Sequence, residues 1–184
     1  MGVLCPPAEY CAFVVVDIQE RLAQAMPELG PALETMMKAM RAAGLLAVDV
    51  FITEQYPKGL GPTLPQLREL LPEQAKMFSK TAFSCWGQVD FASAIDRVRP
   101  QALVLMGMET HVCVQQTALE ALKRGYKVIV LADAVCSRKR ADQDVALDLM
   151  RTEGIVVTTL EALLFDWVGN AAASTFKEVS RIVK

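Results

Sequence analysis

Gln101-Ala-Leu-Val-Leu-Met-Gly-Met-Glu-Thr-His-Val-Cys-Val-Gln-Gln-Thr-Ala118 carries a strand into a helix within eighteen residues. Gln101 to Met106 is a short apolar run, read as a buried strand, and Gly107 punctuates it. Thr110 is an N-cap candidate for a following helix whose apolar face takes Val114, Ala118, Ala121 and Leu122. Cys113 then falls in the first turn of that helix. Unpaired N–H groups and the positive end of the helix dipole there favour a thiolate and an oxyanion. The competing reading is a buried structural cysteine, because free cysteines are among the most buried residue types.

Strands of the same kind lie on both sides of this turn. Cys11 to Val16 is apolar without alternation, as expected for a strand covered on both faces of a parallel sheet. It ends in Asp17, where open α/β sheets place their ligands, although a helix cap near Gln19 would equally use an aspartate. Met77-Phe-Ser-Lys-Thr-Ala-Phe-Ser-Cys-Trp86 brings Lys80 to another strand end. A lone lysine is ordinarily a solvated charge. The expected strands are Ala12–Asp17, Leu46–Thr53, Lys76–Lys80, Ala102–Gly107, Lys127–Asp133 and Ile155–Thr159. Between them a helix carries Leu29, Leu33, Met36, Met37 and Met40 on one face and ends at Gly44. A second, Val89 to Val98, is stopped by Pro100. A third, Asp142 to Arg151, turns Val145, Ala146 and Leu149 inward and ends at Gly154. Alternating strands and helices predict a mostly parallel sheet with helices on both faces. From Gly169 to Lys184 the pattern changes to a short helix with Phe176, Val179, Ile182 and Val183 as its stripe. That stripe suits packing on the domain or a neighbouring subunit better than a membrane.

Composition narrows the function. A chain of 184 residues fits one domain at about 100–200 residues each. An apolar fraction of 53% and charged residues at 22% exclude a disordered chain. A net charge of −2 argues against a nucleic-acid partner, which wants a basic face. Five cysteines, an odd number without framework spacing, suit a reducing cytoplasm. No apolar run reaches the roughly 18 residues of a membrane span. Met1-Gly2 opens like an acylation signal, but Pro6 fills the position that needs Ser or Thr. No Walker or Gly-x-Gly-x-x-Gly loop follows a strand; Gly59-Leu-Gly61 has neither the spacing nor the context.

Asp17, Lys80 and Cys113 together resemble the catalytic set of the isochorismatase-like (cysteine hydrolase) family. Val16-Asp-Ile-Gln19 resembles the family's aspartate motif, Ser79-Lys-Thr-Ala-Phe-Ser84 its lysine motif, and Gly107-Met-Glu-Thr-His-Val-Cys-Val114 its nucleophile motif. Gly125 to Ala134 and Ser137 also fit. The resemblance spans residues 10 to 168 with every motif in order. Thr53-Glu-Gln-Tyr-Pro-Lys-Gly-Leu-Gly-Pro-Thr63 resembles the isochorismatase domain-containing subgroup. The resemblance implies a single-domain three-layer α/β/α fold over residues 1–184 with a six-stranded, Rossmann-type sheet. It implies a catalytic set of Cys113, Asp17 and Lys80, in which the helix terminus and the lysine cation would lower the thiol pKa and Asp17 is the candidate base. It also implies a cis peptide at Met108–Glu109, and oxyanion donors at the N–H groups of Glu109 and Cys113. Gln19, Glu54, Gln55, Tyr56, Phe83 and Trp86 are the pocket candidates, with packing as the alternative for the aromatics. A homo-oligomer follows by analogy.

Departures from the family's other branches refine the reading. Nicotinamidases carry an Asp-x-His metal motif after the second strand, where this chain reads Thr53-Glu-Gln-Tyr56. With one histidine in the whole chain, a site built on two or three is impossible. No metal and no cofactor is expected. Isochorismatases proper act on a vinyl ether by acid catalysis without requiring the cysteine, so Cys113 favours hydrolysis of a small amide or related carbonyl compound. His111 lies two residues from Cys113, a spacing that does not pair side chains on a helix. It lines the pocket or a subunit contact instead. Cys85 and Cys136 read as structural. From another class, a non-catalytic interaction protein keeping the fold and a remnant triad is the alternative.

Overall fold

The computed structural model describes residues 3–184, so Met1 and Gly2 of the acylation-like motif lie outside the described residues. Six strands form one sheet: β1 (Cys11–Val16), β2 (Asp49–Gln55), β3 (Lys76–Lys80), β4 (Ala102–Met108), β5 (Lys127–Cys136) and β6 (Val156–Thr158). Their order is β3-β2-β1-β4-β5-β6 and every neighbouring pair is parallel. The chain therefore winds outward from β1 to one edge, then restarts beside β1 with β4 and winds to the other. The carboxyl ends of β1 and β4 flank that reversal, the crevice where such sheets bind ligands.

Single-turn helices α1 (Glu20–Ala23), α3 (Pro57–Leu60) and α4 (Pro65–Arg68) lie in the connections near β1 and β2. The longer helices are α2 (Leu29–Leu46), α5 (Val89–Val98), α6 (Gln115–Lys123), α7 (Arg140–Thr152), α8 (Leu160–Val168) and α9 (Phe176–Val183). The period-2 geometry of β1 feeds two cores. Cys11, Phe13 and Val15 join Met36 and Met40 of α2 and Leu163 of α8 on one face. Ala12, Val14 and Val16 join Phe91 and Ile95 of α5, Ala118 of α6 and Met150 of α7 on the other. Each large side chain fully buried in these layers contributes about 1.5–3 kcal/mol.

Several boundaries move. Gly44 does not end α2; the helix runs on to Leu46 and stops where Ala47 turns left-handed at φ +54°. Burial of Ala42 and Ala43 carries the helix through the glycine, and buried Val48 closes the turn onto the Ala43 carbonyl. β2 is accordingly shifted to Asp49–Gln55. β5 continues past Asp133 to Cys136, because the Asp133 carboxylate is satisfied by the Leu160 N–H at 3.0 Å. On α7 the buried face is Gln143, Ala146, Leu147 and Met150, while Val145 is 70% exposed and Leu149 40%. Gln143 can point inward because its amide donates to the Val135 carbonyl. α9 packs on its own chain: Val179 is buried and Phe176 lies 6.1 Å from Phe165 of α8. Among the described residues no helix is long and apolar enough to cross a membrane.

Gly107 holds β4 against β1. It pairs with Val16 at φ +129°, and a Cβ there would meet the Val16 carbonyl oxygen and nitrogen. Gly107→Ala is expected to cost about 1–3 kcal/mol in backbone strain alone. For a chain of this size that lowers Tm by several degrees. A melting curve superimposable on wild type would show that the two strands have slack.

Candidate active site

Asp17 and Lys80 meet across the ends of three strands. Asp17 follows β1 in a left-handed conformation, φ +54°, with its N–H donating to the Thr53 carbonyl of β2. Lys80 is the last residue of β3. Its Nζ donates to Asp17 Oδ2 and Gln55 Oε1, each at 2.7 Å, and to the carbonyls of Phe83 and Ala82 at 3.0 and 3.2 Å. The second oxygen, Asp17 Oδ1, accepts from Thr53 Oγ1 at 2.8 Å. Both charged side chains are excluded from solvent. Burial works to lower the Lys80 pKa, but the Asp17 charge and its hydrogen bond leave it raised above the ordinary lysine range.

Cys113 comes to the same place from β4. The Met108–Glu109 peptide is cis, and residues Thr110–Val114 form a π-type turn in which the Val112 and Val114 N–H groups both donate to the Glu109 carbonyl. The expected α-helical N-cap at Thr110 is thus replaced. Glu109 takes the cap position, and the Thr110 hydroxyl is buried with no partner among the described residues. The Glu109 carboxylate braces the turn from outside by accepting from Arg138 N and Nε at 3.2 and 2.9 Å. Thr117 Oγ1 braces it from inside, donating to the Cys113 carbonyl at 2.6 Å and accepting from Cys85 N at 3.0 Å.

The thiol does not rest as a thiolate. Burial first, then the Asp17 charge, pushes the Cys113 pKa up to about 12, with Lys80 pulling the other way. The lowering expected from the helix end and Lys80 is therefore outweighed by desolvation and a neighbouring anion. A buried, protonated sulfur beside a carboxylate suits proton transfer during attack rather than a standing ion pair. Burial also pushes the nearby Cys85 to about 11.

The other pocket candidates divide. Gln19 is fully buried and brackets the 55–63 loop, its amide donating to the Gln55 and Gly61 carbonyls and accepting from Gln55 N. Glu54 accepts from Thr63 N and Oγ1 and pins the same loop. Gln55 touches Lys80 directly. Trp86 packs between Phe91 and Tyr126 with its Nε1 on the Thr117 carbonyl. Tyr56 and Phe83 are each 55% exposed. A cleft of about 500 Å³ beside Tyr56, Pro57, Ser79 and Thr81 reaches Lys80. Cys113 is only 6% exposed. His111 engages Ser137 Oγ at 3.0 Å and lies 3.9 Å from Asp142. Among the described residues no three His, Cys, Asp or Glu side chains gather as a metal site would need. Thr53, Thr117 and Arg138 were not among the expected site residues. Only Thr53, a polar residue closing an apolar strand, left a signal in the sequence.

Residues 11–162 match the isochorismatase domain. The chain is 38% identical over 172 residues to isochorismatase domain-containing protein 1 of Salmo salar, covering 94% of this chain and 60% of that protein. It therefore spans less than two thirds of that relative's length. It is 42% identical over 149 residues to isochorismatase domain-containing protein 2 of Bos taurus, 80% of this chain and 70% of that protein. Among solved structures, one described as MAR1 ribonuclease from Caenorhabditis elegans superposes with a TM-score of 0.91 at 36% identity, covering 97% of this chain and 91% of that one. Domain match and relatives agree: this chain belongs to the isochorismatase domain family.

Proposed function

We propose that the chain hydrolyses a small amide or related carbonyl compound through an acyl-enzyme on Cys113. Asp17 takes the thiol proton as sulfur attacks the carbonyl carbon, and returns it to the leaving amine. The N–H groups of Glu109 and Cys113 receive the oxyanion. Water then attacks the thioester, Asp17 accepts its proton, and the acid departs as the thiol reforms. Lys80 holds the carboxylate aimed, and Gln55 holds Lys80. Tyr56, exposed and lining the cleft beside Lys80, selects what enters. The observation that carries the reading is a solvent-free carboxylate–ammonium pair beside a protonated cysteine at the sheet's switch point. The 6% exposure of Cys113 favours small substrates.

A second reading, RNA cleavage, is favoured by the name of the Caenorhabditis elegans relative; the net charge of −2 weighs against it. The test incubates wild type and Cys113→Ala with a panel of small amides, esters and thioesters and a short RNA. Intact mass after acid quench is read alongside product. A mass gain on Cys113 in wild type, with turnover lost in Cys113→Ala, is expected. Carbonyl turnover surviving in a folded Cys113→Ala protein would mean that water attacks the carbonyl directly with Asp17 as base, and would remove the acyl-enzyme. Cleaved RNA with no adduct would favour the ribonuclease reading. Silence across the panel would favour a binding role.

A further inference from the structure

Cys5 and Cys11 bring their sulfur atoms to 3.3 Å, both thiols free and each residue only 2% exposed. The chain between them is bent for this meeting. Pro6 and Pro7 stiffen it, and a 3₁₀ turn at Ala8–Tyr10 folds Cys11 back beneath Cys5. The segment is clamped from α8: the Asp166 carboxylate accepts from the N–H groups of Val3, Leu4 and Cys5 at 2.6, 3.0 and 3.1 Å. Trp167 Nε1 donates to the Pro6 carbonyl at 2.9 Å. The Cys11 sulfur also lies 3.4 Å from the carbonyls of Pro6 and Pro7.

We propose that Cys5 and Cys11 are a reversible disulfide site, oxidised by a peroxide and reopened by a dithiol, separate from the Cys113 site. Cys11 opens β1 and Asp17 follows its far end, so the pair sits at the opposite edge of the sheet from the candidate active site. The two sites also lie in different cores. Hydrogen bonding from Cys11 lowers the Cys5 pKa and the same contact raises that of Cys11, so Cys5 ionises first. Its thiolate attacks a peroxide oxygen; the O–O bond breaks, and the departing hydroxide takes a proton to become water. Cys11 sulfur then attacks the sulfenic sulfur of Cys5. The S–S bond forms, the S–O bond breaks, and the released hydroxide leaves as a second water with the Cys11 proton. Two thiols lose two electrons and one peroxide is reduced.

The test treats the whole protein with a slight excess of hydrogen peroxide. Free thiols are blocked under denaturing conditions, and a glutamate-specific protease cuts at Glu9, between the two cysteines. Peptides carrying Cys5 and Cys11 are expected to travel as one linked species, two hydrogens lighter than the dithiol, and to separate after dithiothreitol. The link is expected equally in Cys113→Ser. In Cys11→Ser, Cys5 is expected to stop at the sulfenic acid and be trapped by dimedone. Cys5 and Cys11 both recovered as blocked thiols while Cys113 oxidises would overturn the proposal. So would a Cys5 linked only to another molecule.

Discussion

Asp17→Asn is expected to speed alkylation of Cys113 at pH 7 by about threefold for each unit that its pKa falls, while slowing hydrolysis by about 10²–10⁴-fold, the range for losing a general base. The two readouts move in opposite directions because Asp17 does two things to the sulfur. As a neighbouring anion it holds the Cys113 pKa up, to about 12 together with burial. Replacing it with an amide removes that repulsion and leaves the Lys80 cation in place, so the thiol pKa falls. Each unit of fall gives tenfold more thiolate at neutral pH, and the lower intrinsic nucleophilicity of a more acidic thiol offsets roughly half of that on a logarithmic scale. As a base, the carboxylate is what lets a protonated cysteine attack at all, and the amide cannot accept the proton. The wild-type alkylation profile is therefore expected to climb across the alkaline range, and the variant profile to sit at lower pH. A variant slower in both assays would mean that Asp17 supports a preformed thiolate, and the proton-transfer reading would fail.

The features legible in the sequence and those that were not differ in kind. Unbroken apolar runs such as Cys11–Val16 and Ala102–Met106 have one stable place, a strand covered on both faces, so sheet and layers follow from them. The polar residues that close those runs, Asp17 and Lys80, are conspicuous for the same reason. Interactions made between elements leave no local trace. Gln143 points into the core only because the Val135 carbonyl receives its amide. β5 passes Asp133 only because α8 begins within reach of that carboxylate. The resting state of Cys113 escapes the sequence on the same ground. A helix terminus and a lysine are visible in the chain, whereas burial beside Asp17 exists only once three strand ends have converged. Thr117 and Arg138, which brace the cysteine turn from either side, belong to that class too.

Lys80→Met is expected to destabilise the fold by about 3–5 kcal/mol, the cost of leaving one half of a buried ion pair uncompensated. At roughly 2–4 °C per kcal/mol for a chain of this size, Tm falls by about 6–20 °C. The loss is asymmetric. Without Lys80, the Asp17 carboxylate keeps Thr53 Oγ1 as its side-chain donor. Without the Asp17 charge, Lys80 still has Gln55 Oε1 and the carbonyls of Ala82 and Phe83. Asp17→Asn should therefore cost less, and the Asp17→Asn/Lys80→Met double variant should be more stable than Lys80→Met alone, because no charge is left buried. Lys80 also binds its proton more tightly folded than unfolded. Its contribution is complete below the ordinary lysine value of 10.5 and is lost as pH rises through the higher folded value. The stability gap between wild type and Lys80→Met should thus be constant up to about pH 10.5 and narrow above it. Denaturant unfolding of the four proteins across that range reads the coupling directly. Additive single and double effects would show that Lys80 and Asp17 act independently, and would remove Lys80 as the group that holds the base in place.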